Sequence, residues 1–458
     1  MPDDAGAARR FPHTLVAGLV VFALQWVHGP AQAFLYDAVQ YWGAPIALLT
    51  GGNVSDAGVL QIRGVLSSIV YLPPALATTI LGPSTAVWTV LVWNSLLASV
   101  ICVILLPRIA GLITPGGLVI RIWFSALAGG VVLSGFARYP HLDVWSAGLA
   151  LAGFLGLASS RRWWTIALSG LSLAVALNLR PSYLAPVAIA AVVLLIARPR
   201  LVLWAVPGAA VGLLPQFVFN ITTLSSLSLS PVATSYLLQV QSAQAAFAVR
   251  YDTVAFADRH PQQWYCDPAY ARLLAGDVEP TSPVGVLSSA ISHLPHSLWF
   301  FSQKAGASLQ WSFATPMEHP PGGGTSLMTF VVVGLSAFGV VALIWQAVTL
   351  RAQRGPLLNA LALVGFWIGA LGTLVLSTPE TRFALPLVLV GIVGLLTVLP
   401  PTLRPTAPRA AIVAALVVAV ALAVGVFAIG KAGLAHPLPP GPLTSETQCA
   451  AMDAERGE

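Results

Sequence analysis

Asp37 is an acidic side chain that stands among aromatic residues near the start of the chain. It lies between Tyr36 and the pair Tyr41-Trp42, which follows four to five residues later. On a short helix, residues at this spacing share one face, so the sequence predicts an amphipathic helix that begins with a carboxylate. Such a carboxylate accepts a proton from a hydroxyl group as a general base. The alternative is a structural role, because aspartate also caps surface helices.

A second acid, Asp143, follows Arg138 and His141 in the segment GFARYPHLDVW. These three residues fall within one or two turns of each other, at the end of a predicted apolar span. The sequence leaves two interpretations open. They belong to a site, or the arginine and the aspartate form a pair that faces water at a helix end.

Two further arginines stand alone beside predicted spans. Arg180 occurs in ALNLRPSY, and Arg382 follows Glu380 in STPETRFALPL. A guanidinium group binds a phosphate or carboxylate group through two parallel hydrogen bonds, so a bound anion explains isolated arginines at such positions. Pairing with a nearby carboxylate is the alternative. Lys304, the lone cation of the aromatic segment HLPHSLWFFSQKAGASLQW, is a further candidate.

The composition excludes an ordinary soluble domain. Of 458 residues, 57% are hydrophobic and 8% are charged, and the mean hydropathy is +0.82, whereas a soluble domain carries roughly 25% charged residues. The sequence therefore predicts an all-α, polytopic membrane protein. The formal charge of +6 is better explained by arginines that set topology than by a nucleic-acid partner.

The cysteines predict neither a redox motif nor a metal centre. Cys102, Cys266 and Cys449 lie far apart and match no metal-binding spacing, so we expect no disulfide framework and no zinc site. The sequence indicates no cofactor. A divalent metal is compatible with the chemistry, but no residue pattern supports it.

Apolar windows of about 20 residues suit helices that cross a bilayer. About eleven are predicted here, at approximately 13–28, 85–106, 113–135, 144–160, 163–179, 183–197, 201–220, 326–349, 356–376, 384–400 and 410–430. The apolar stretch from Leu66 to Leu81 is excluded, since a further span would invert every later connection. We expect it to lie along or dip into the membrane surface, broken at Pro73-Pro74.

Charges in the connections set a topology. Arginines fall in every second connection, at Arg9-Arg10, Arg108, Arg161-Arg162, Arg198 with Arg200, Arg351 with Arg354, and Arg404 with Arg409. The positive-inside rule then places the N-terminus in the cytoplasm and the C-terminus outside a cell membrane. After Asp4, every acid falls in a connection assigned to the outside, where the chemistry is therefore expected. A cleavable signal peptide at the N-terminus is the alternative to an uncleaved first span.

Four regions follow from this arrangement. They are a transmembrane module at 1–220 with a first outer loop at about 29–84, a large outer loop at 221–325, transmembrane helices at 326–430, and an outer polar tail at 431–458. Surface helices are predicted in both loops, and the large loop is expected to fold as a few helices. Its acids Asp252, Asp258 and Asp267 are expected to face water.

Taken together and in order, four motifs resemble the GT-C superfamily of integral-membrane glycosyltransferases. The motifs are Tyr36-Asp37 with Tyr41-Trp42, Arg138-Tyr139 with Asp143, Leu179-Arg180-Pro181, and Pro379-Glu380-Thr381-Arg382-Phe383. Two departures stand out. Members often carry a second acid directly after the first, where this chain has Ala38, and a basic residue before the proline pair, where it has Leu72. The missing second acid argues against a metal in the first loop. Arg63 is the candidate substitute for the basic residue that is missing at Leu72.

The resemblance implies a polyprenyl-phosphate sugar as donor and a glycan, lipid or protein as acceptor outside the cell. Asp37 would be the catalytic base of an inverting transfer, and Asp143 would orient the acceptor or an arginine. Arg138, Arg180 and Arg382 would hold the phosphate, with Lys304 behind them. The remaining substrate-binding candidates are Tyr41, Trp42, Arg63 and Glu380.

Two other functions compete. A transporter or flippase predicts charged residues in the middle of spans and discontinuous helices around them, whereas most spans here are Leu, Val, Ala and Gly, with Arg121 the nearest exception. A polymerase or ligase of lipid-linked saccharides would also place arginines in outer loops. The early Asp37 loop favours the transferase.

Overall fold

The computed structural model describes residues 4–51, 59–254, 262–274, 280–312, 317–318, 326–399, 409–438, 449 and 451. Over these residues the chain is mainly helical. The α-helices are α1 Asp4–Leu24, α2 Asp37–Thr50, α3 Val59–Arg63, α4 Val65–Leu81, α5 Ala86–Val100, α6 Leu106–Gly111, α7 Leu118–Leu133, α8 Asp143–Ser159, α9 Trp163–Leu179, α10 Leu184–Ala197, α11 Val202–Leu224, α12 Thr234–Ala245, α13 Pro268–Leu274, α14 Pro283–Ser292, α15 His296–Ser308, α16 Ser326–Thr349, α17 Arg354–Val375, α18 Leu385–Val398 and α19 Arg409–Gly433.

Shorter elements complete the secondary structure. A π-helical turn at Ile101–Leu105 joins α5 to α6 without a break. Short 3-10 helices lie at Pro83–Thr85, Phe136–Arg138, Pro181–Tyr183, Pro199–Leu201 and Thr381–Ala384. The strands are β1 Ala248–Val254, β2 Gln262–Cys266 and β3 Met317–Glu318.

Each predicted apolar window coincides with a helix, which confirms the helical, membrane-type character of the chain. Among the described residues, six helices are long and apolar enough to cross a membrane: Pro83–Gly111, Pro199–Leu224, Leu327–Thr349, Arg354–Val375, Thr381–Val398 and Arg409–Gly433. The other windows hold shorter apolar helices. The total of about eleven spans therefore stays a prediction.

The expected break at Pro73-Pro74 is wrong, because α4 continues through both prolines. A proline inside a helix has no N–H for the carbonyl four residues earlier, so Pro74 leaves the Val70 carbonyl without its usual donor. The Trp93 indole Nε1 of α5 donates to that carbonyl at 3.0 Å. A neighbouring side chain thus replaces the missing backbone bond and keeps the helix intact.

The described chain forms two compact units. The first comprises Met1–Val232, Leu335–Gly369 and Leu387–Ala419. In it, α9 packs closely against both α8 and α11, and the α9–α11 contact depends on Gly170 and Gly208. A Cβ on Gly170 would lie 2.0 Å from the Ala205 carbonyl oxygen. These two helices therefore touch backbone to backbone, which brings the ends of α8, α9 and α11 close together.

The second unit comprises Ala233–Gly334, Ala370–Pro386 and Val420–Glu458. The large loop that was expected to be helical also contains a small sheet of order β2-β1-β3, in which β1 pairs antiparallel with β2 and parallel with β3. Helix α15 packs on β1, where Val249, Tyr265 and Phe300 form part of a buried cluster.

The acids of this loop were expected in water, and two of them are buried instead. Asp252 accepts both bonds of an Arg250 fork, at 2.8 and 2.5 Å. Asp267 accepts from the backbone N–H of Tyr270 at 3.0 Å, so it caps the start of α13. Charge can be buried here because each carboxylate has donors to satisfy it. Asp258 lies outside the described residues.

The expectation of no disulfide is also wrong. Cys266, at the end of β2, is bonded to Cys449, with 6.2 Å between their Cα atoms. Both cysteines are buried in a cluster with Trp264 and Leu438. Spacing could not reveal this bond, because 183 residues separate its ends. Cys102 is a buried free thiol.

Candidate active site

Asp37 is the first residue of α2, as the spacing predicted. Its Oδ1 accepts from Nη2 of Arg63, the last residue of α3, at 2.6 Å. The Arg63 guanidinium also lies 5.2 Å from the ring centre of Tyr41, one turn beyond Asp37. Asp37 and Tyr41 share the buried face of α2. Arg63, a substrate-binding candidate from the sequence, thus lies beside the predicted base as its ion-pair partner. We call this contact the first ion pair.

The residue before Asp37 has an unusual backbone. Tyr36 has φ of +51° and ψ of −121°, in a region that residues with a Cβ rarely adopt. Such conformations cost on the order of 1–3 kcal/mol and persist where the surroundings impose them. The chain therefore turns sharply just before α2, and this turn places the carboxylate at the first position of the helix.

Gly64 places Arg63. It has φ of +77°, and a Cβ there would lie 2.3 Å from Oε1 of Gln216. The same Oε1 accepts from the backbone N–H of Val65 at 2.9 Å. The turn between α3 and α4 thus rests on an amide side chain from α11, and only glycine fits the turn.

Asp143 is the first residue of α8. Its Oδ2 accepts from Nη2 of Arg180 at 2.7 Å, and both side chains are almost fully buried. Arg180 follows the last residue of α9, with extended φ and ψ, just before the 3-10 turn Pro181–Tyr183. The water-facing pair of Arg138 with Asp143 is therefore not what forms. Asp143 orients an arginine, but this arginine is Arg180. We call this contact the second ion pair.

Two rings connect the ion pairs. Tyr41 meets the ring of His141 edge to face, with 6.3 Å between ring centres, and His141 is two residues before Asp143. The Tyr71 hydroxyl of α4 donates a hydrogen bond to the His141 carbonyl at 2.7 Å. The charge of Asp143 acts electrostatically on this hydroxyl. The two ion pairs therefore belong to one buried neighbourhood.

Asn94 of α5 holds the segment that carries Arg138, His141 and Asp143. Its Nδ2 donates to the carbonyls of Ala137 and Tyr139, at 3.2 and 2.9 Å. Its Oδ1 accepts from the Trp145 indole at 3.1 Å. Asn94 was not among the candidates predicted from the sequence, although a lone amide inside the apolar run WTVLVWNSLLASV was a visible signal.

Arg138 lies outside both ion pairs. Its guanidinium is 5.6 Å from the Tyr139 ring centre, and its Nε is buried without a hydrogen-bond partner in the described part of the chain. Burial raises the pKa of Tyr139, while Arg138 opposes that rise. Arg138 is thus a further cation near the segment of the second ion pair, and it lies close enough to His28 to act on it electrostatically.

Trp42 packs against apolar side chains. Its ring lies 5.4 Å from that of Phe34, and both belong to the apolar cluster around Tyr41 and Tyr71. The cluster supports the buried face of α2.

The remaining candidates lie in the second unit. Glu380 and Arg382 form a buried ion pair. Strand β1 holds their segment, because Thr253 donates its hydroxyl to Oε1 of Glu380 at 2.6 Å and the Tyr251 N–H donates to the Pro379 carbonyl at 3.0 Å. Their predicted role toward phosphate stays a prediction.

Lys304 is fully buried on α15. Its Nζ donates to the Ala245 carbonyl at 2.8 Å and lies 5.1 Å from the Phe300 ring centre. Burial lowers the pKa of this amine well below its usual value. These contacts give Lys304 a structural role, and its predicted role in substrate binding stays untested.

Among the residues that the structure describes, no group of three or more His, Cys, Asp or Glu side chains is placed to hold a metal ion. The polar side chains that the contacts above bring together in the first unit are carboxylates, arginines and a tyrosine hydroxyl.

Comparisons with models of protein families, with curated proteins and with solved structures found no match.

The geometry of the site offers two kinds of chemistry in one place. A buried carboxylate can take a proton from a hydroxyl group. A guanidinium group can bind a developing or leaving anion through a two-bond fork. Each carboxylate of the two ion pairs already has a guanidinium beside it, so an anionic ligand that binds the arginines would compete with the carboxylates for them.

Proposed function

We propose that the protein is an inverting glycosyltransferase of the cell membrane, which moves a sugar from a polyprenyl-phosphate donor to an acceptor hydroxyl outside the cell. The observation that carries the proposal is the joining of the two ion pairs through Tyr41 and His141. The order of motifs that resembles the GT-C superfamily supports it, as do the apolar helices that surround the site.

In this reaction Asp37, Asp143, Arg138 and Arg180 have distinct roles. The acceptor oxygen forms a bond to the anomeric carbon while the bond from that carbon to the lipid phosphate breaks, through an oxocarbenium-like state. Asp37 takes the acceptor proton. The prenyl monophosphate leaves as an anion that Arg180 and Arg138 bind, and Asp143 orients Arg180.

The resting ion pairs fit this sequence of events. A donor phosphate that accepts hydrogen bonds from Arg63 withdraws that guanidinium from Asp37. The freed carboxylate oxygen then becomes available to the acceptor hydroxyl. Donor binding would in this way make the Asp37 carboxylate available as the base.

Transport is the competing function, and it requires charge available inside the spans. Arg121 of α7 is such a charge by position. However, its Nε donates to the Leu396 carbonyl at 2.9 Å and its Nη2 to the Thr114 hydroxyl at 2.6 Å. These bonds tie α7 to α18 and favour a structural role.

The test compares the native protein with Asp37→Asn. We expect transfer of radiolabelled sugar from a synthetic prenyl-phosphate donor into membranes to fall roughly a hundredfold or more, because the amide cannot take the proton. If Asp37 is purely structural, the variant would instead lower the melting temperature, because it leaves the largely buried Arg63 without its counter-charge, and would leave transfer by the folded protein intact.

Asp252→Asn is the matched control, since Asp252 is also a buried carboxylate paired with an arginine. It should lower the melting temperature without a selective loss of transfer. Equal transfer by the native protein and Asp37→Asn would refute the proposal. Sugar that crosses the bilayer without a new glycosidic bond would establish transport instead.

A further inference from the structure

Residues 225–231 follow α11 directly, and we call this segment the strap. Its side chains alternate between exposed leucine and half-buried serine. Leu227 and Leu229 are 86% and 55% exposed, whereas Ser228 between them is half-buried. The hydrophobic effect favours the opposite order in water. The strap therefore has its apolar side outward and its polar side toward the protein.

A lipid bilayer suits this order. The helical segment Pro199–Leu224, which ends where the strap begins, is long and apolar enough to cross a membrane. Between Arg200 and Arg250 the chain has no charged residue and no histidine, whereas roughly a quarter of the residues of a soluble domain are charged. The outward leucines therefore continue the apolar surface of the helix before them, and acyl chains would stabilise both.

Two amide side chains hold the inward side of the strap. Asn220, near the end of α11, donates from Nδ2 to the carbonyls of Ser228 and Ser230, both at 2.8 Å. Asn178 of α9 donates to the Leu229 carbonyl at 3.1 Å. Three consecutive carbonyls of the strap thus accept hydrogen bonds from side chains, which fixes the path of its backbone.

These bonds also fix which way each amide faces. A carbonyl only accepts hydrogen bonds, so Asn220 must present its NH2 group to the strap and its Oδ1 to Gln216, whose Nε2 donates to it at 2.9 Å. The Gln216 Oε1 is then left to accept from the backbone N–H of Val65 at 2.9 Å. Val65 follows the Gly64 turn that places Arg63. The strap is therefore connected through two amides to the turn beside this arginine.

Pro231, the last residue of the strap, gives a second contact with the same turn. A Cβ on Gly64 would lie 3.0 Å from Cγ of Pro231 and 3.2 Å from Oδ1 of Asn178. The strap and one of the amides that hold it thus border the turn directly. Because protein interiors are close-packed, a displacement of the strap would reach the turn.

We propose that the strap docks on the lipid bilayer through its two exposed leucines, and that this docking positions Arg63 beside Asp37 through the two amides. Gln216 and Asn220 are positioning residues, since they reach the first ion pair only through the turn. The inference rests on the proposed function only in the use made of Arg63, because docking and positioning are properties of the protein without substrate. It makes the predicted base depend on contact with the bilayer.

The first experiment measures where the strap lies. Leu227→Cys carries a bimane label in the full-length protein in phosphatidylcholine nanodiscs, because the native cysteines are a buried thiol and a buried disulfide. We expect nitroxides on the lipid acyl chains to quench the label and aqueous iodide to leave it unaffected. Labels at Val211, exposed in the middle of α11, and at Gln353, exposed between Arg351 and Arg354, are the lipid and water references. Quenching by iodide as strong as at Gln353 would overturn the docking.

The second experiment measures how firmly Arg63 is held. Its side chain is 21% exposed, so phenylglyoxal, which modifies guanidinium groups, can reach it, and mass spectrometry gives the rate. Gln216→Met removes the amide and should raise this rate about fivefold, which corresponds to about 1 kcal/mol, the usual net value of one hydrogen bond. Leu227→Asp changes only an exposed side chain of the strap and should raise the rate in nanodiscs as well. Asp37→Asn gives the rate of an Arg63 that has lost its counter-charge.

Gln25→Met is the matched control, because Gln25 is fully buried in the same unit and donates to two carbonyls that lie outside the turn. It should leave the Arg63 rate at the native value, and a rise equal to that of Gln216→Met would overturn the positioning. An unchanged rate in Leu227→Asp, or in folded Gln216→Met, would overturn it too. If both rates rise but the native protein transfers no sugar, the strap stands and the proposed function fails. If neither rate rises while Asp37→Asn abolishes transfer, the reverse holds.

Discussion

Buried charge in this protein is balanced in two ways. Asp37, Asp143 and Asp252 each face an arginine within hydrogen-bond distance, and the removal of one partner from such a pair leaves an uncompensated charge. Lys304 has a carbonyl and a ring instead of a carboxylate. Its ammonium form has three donors to satisfy, so the neutral amine suits the site better.

Lys304→Met should therefore be tolerated. We expect the free energy of unfolding to rise by on the order of 1 kcal/mol, because an apolar side chain of similar volume needs no desolvation of charge. The variant should also lose a pH dependence of stability. In the native protein the folded pKa of Lys304 is lowered, so the unfolded state binds more protons, and the free energy of unfolding rises with pH from that lowered pKa up to about 10.5. Lys304→Met has no amine to titrate and should not show this rise.

Denaturant unfolding at several pH values measures both effects. The matched control is Lys431→Met, because Lys431 also lies over a phenylalanine ring, 4.8 Å from the centre of Phe427, but is exposed. It should change stability little. Loss of sugar transfer by Lys304→Met with unchanged stability would restore the role in substrate binding that the sequence predicted.

At the scale of elements, α4 depends on a donor from α5. Trp93→Phe keeps an aromatic ring against Trp145 and removes the bond to the Val70 carbonyl. We expect a loss of about 1 kcal/mol, the usual net value of such a bond. The melting temperature of the purified protein measures it.

Trp88→Phe provides the comparison on the same helix, since Trp88 is exposed and its loss should be smaller. Equal effects of the two variants would mean that α4 passes Pro74 without help from Trp93.

The helices were predictable from the sequence because each predicted span is a continuous apolar run, and Asp37 was predictable as a helix start from its spacing to Tyr41. Contacts between distant segments were not. Arg63 reaches Asp37 through a turn that only Gly64 permits, and that turn depends on Gln216, 152 residues after Gly64 in the sequence. Strand β1 was missed because its seven residues stand among helices and its partners come later in the chain.

At the scale of the molecule, the disulfide offers a test of orientation. Disulfides persist in oxidising compartments, so Cys266–Cys449 is compatible with the outer placement that the arginines predict, and that placement stays a prediction. In intact cells we expect no reaction of these cysteines with a membrane-impermeant thiol reagent, and reaction after an impermeant reductant.

Cys449→Ser leaves Cys266 as a thiol without reduction. Because Cys266 is buried, its labelling by the impermeant reagent should be slow, and the rate in intact cells is compared with the rate in permeabilised cells. The double variant with Cys266→Ser is the blank. Labelling that appears only after permeabilisation would place this unit in the cytoplasm, where nucleotide-sugar donors become possible.

The cross-link also closes a loop. Its ends are 183 residues apart, and helices α16, α17, α18 and α19 all lie between them. Cys266 therefore cannot pair with Cys449 until all four helices have been synthesised. These helices are long and apolar enough to cross a membrane, and four crossings would return Cys449 to the side of Cys266, whereas three would leave it on the opposite side. On the predicted topology, a chain in which one of the four failed to insert would be unable to form the bond.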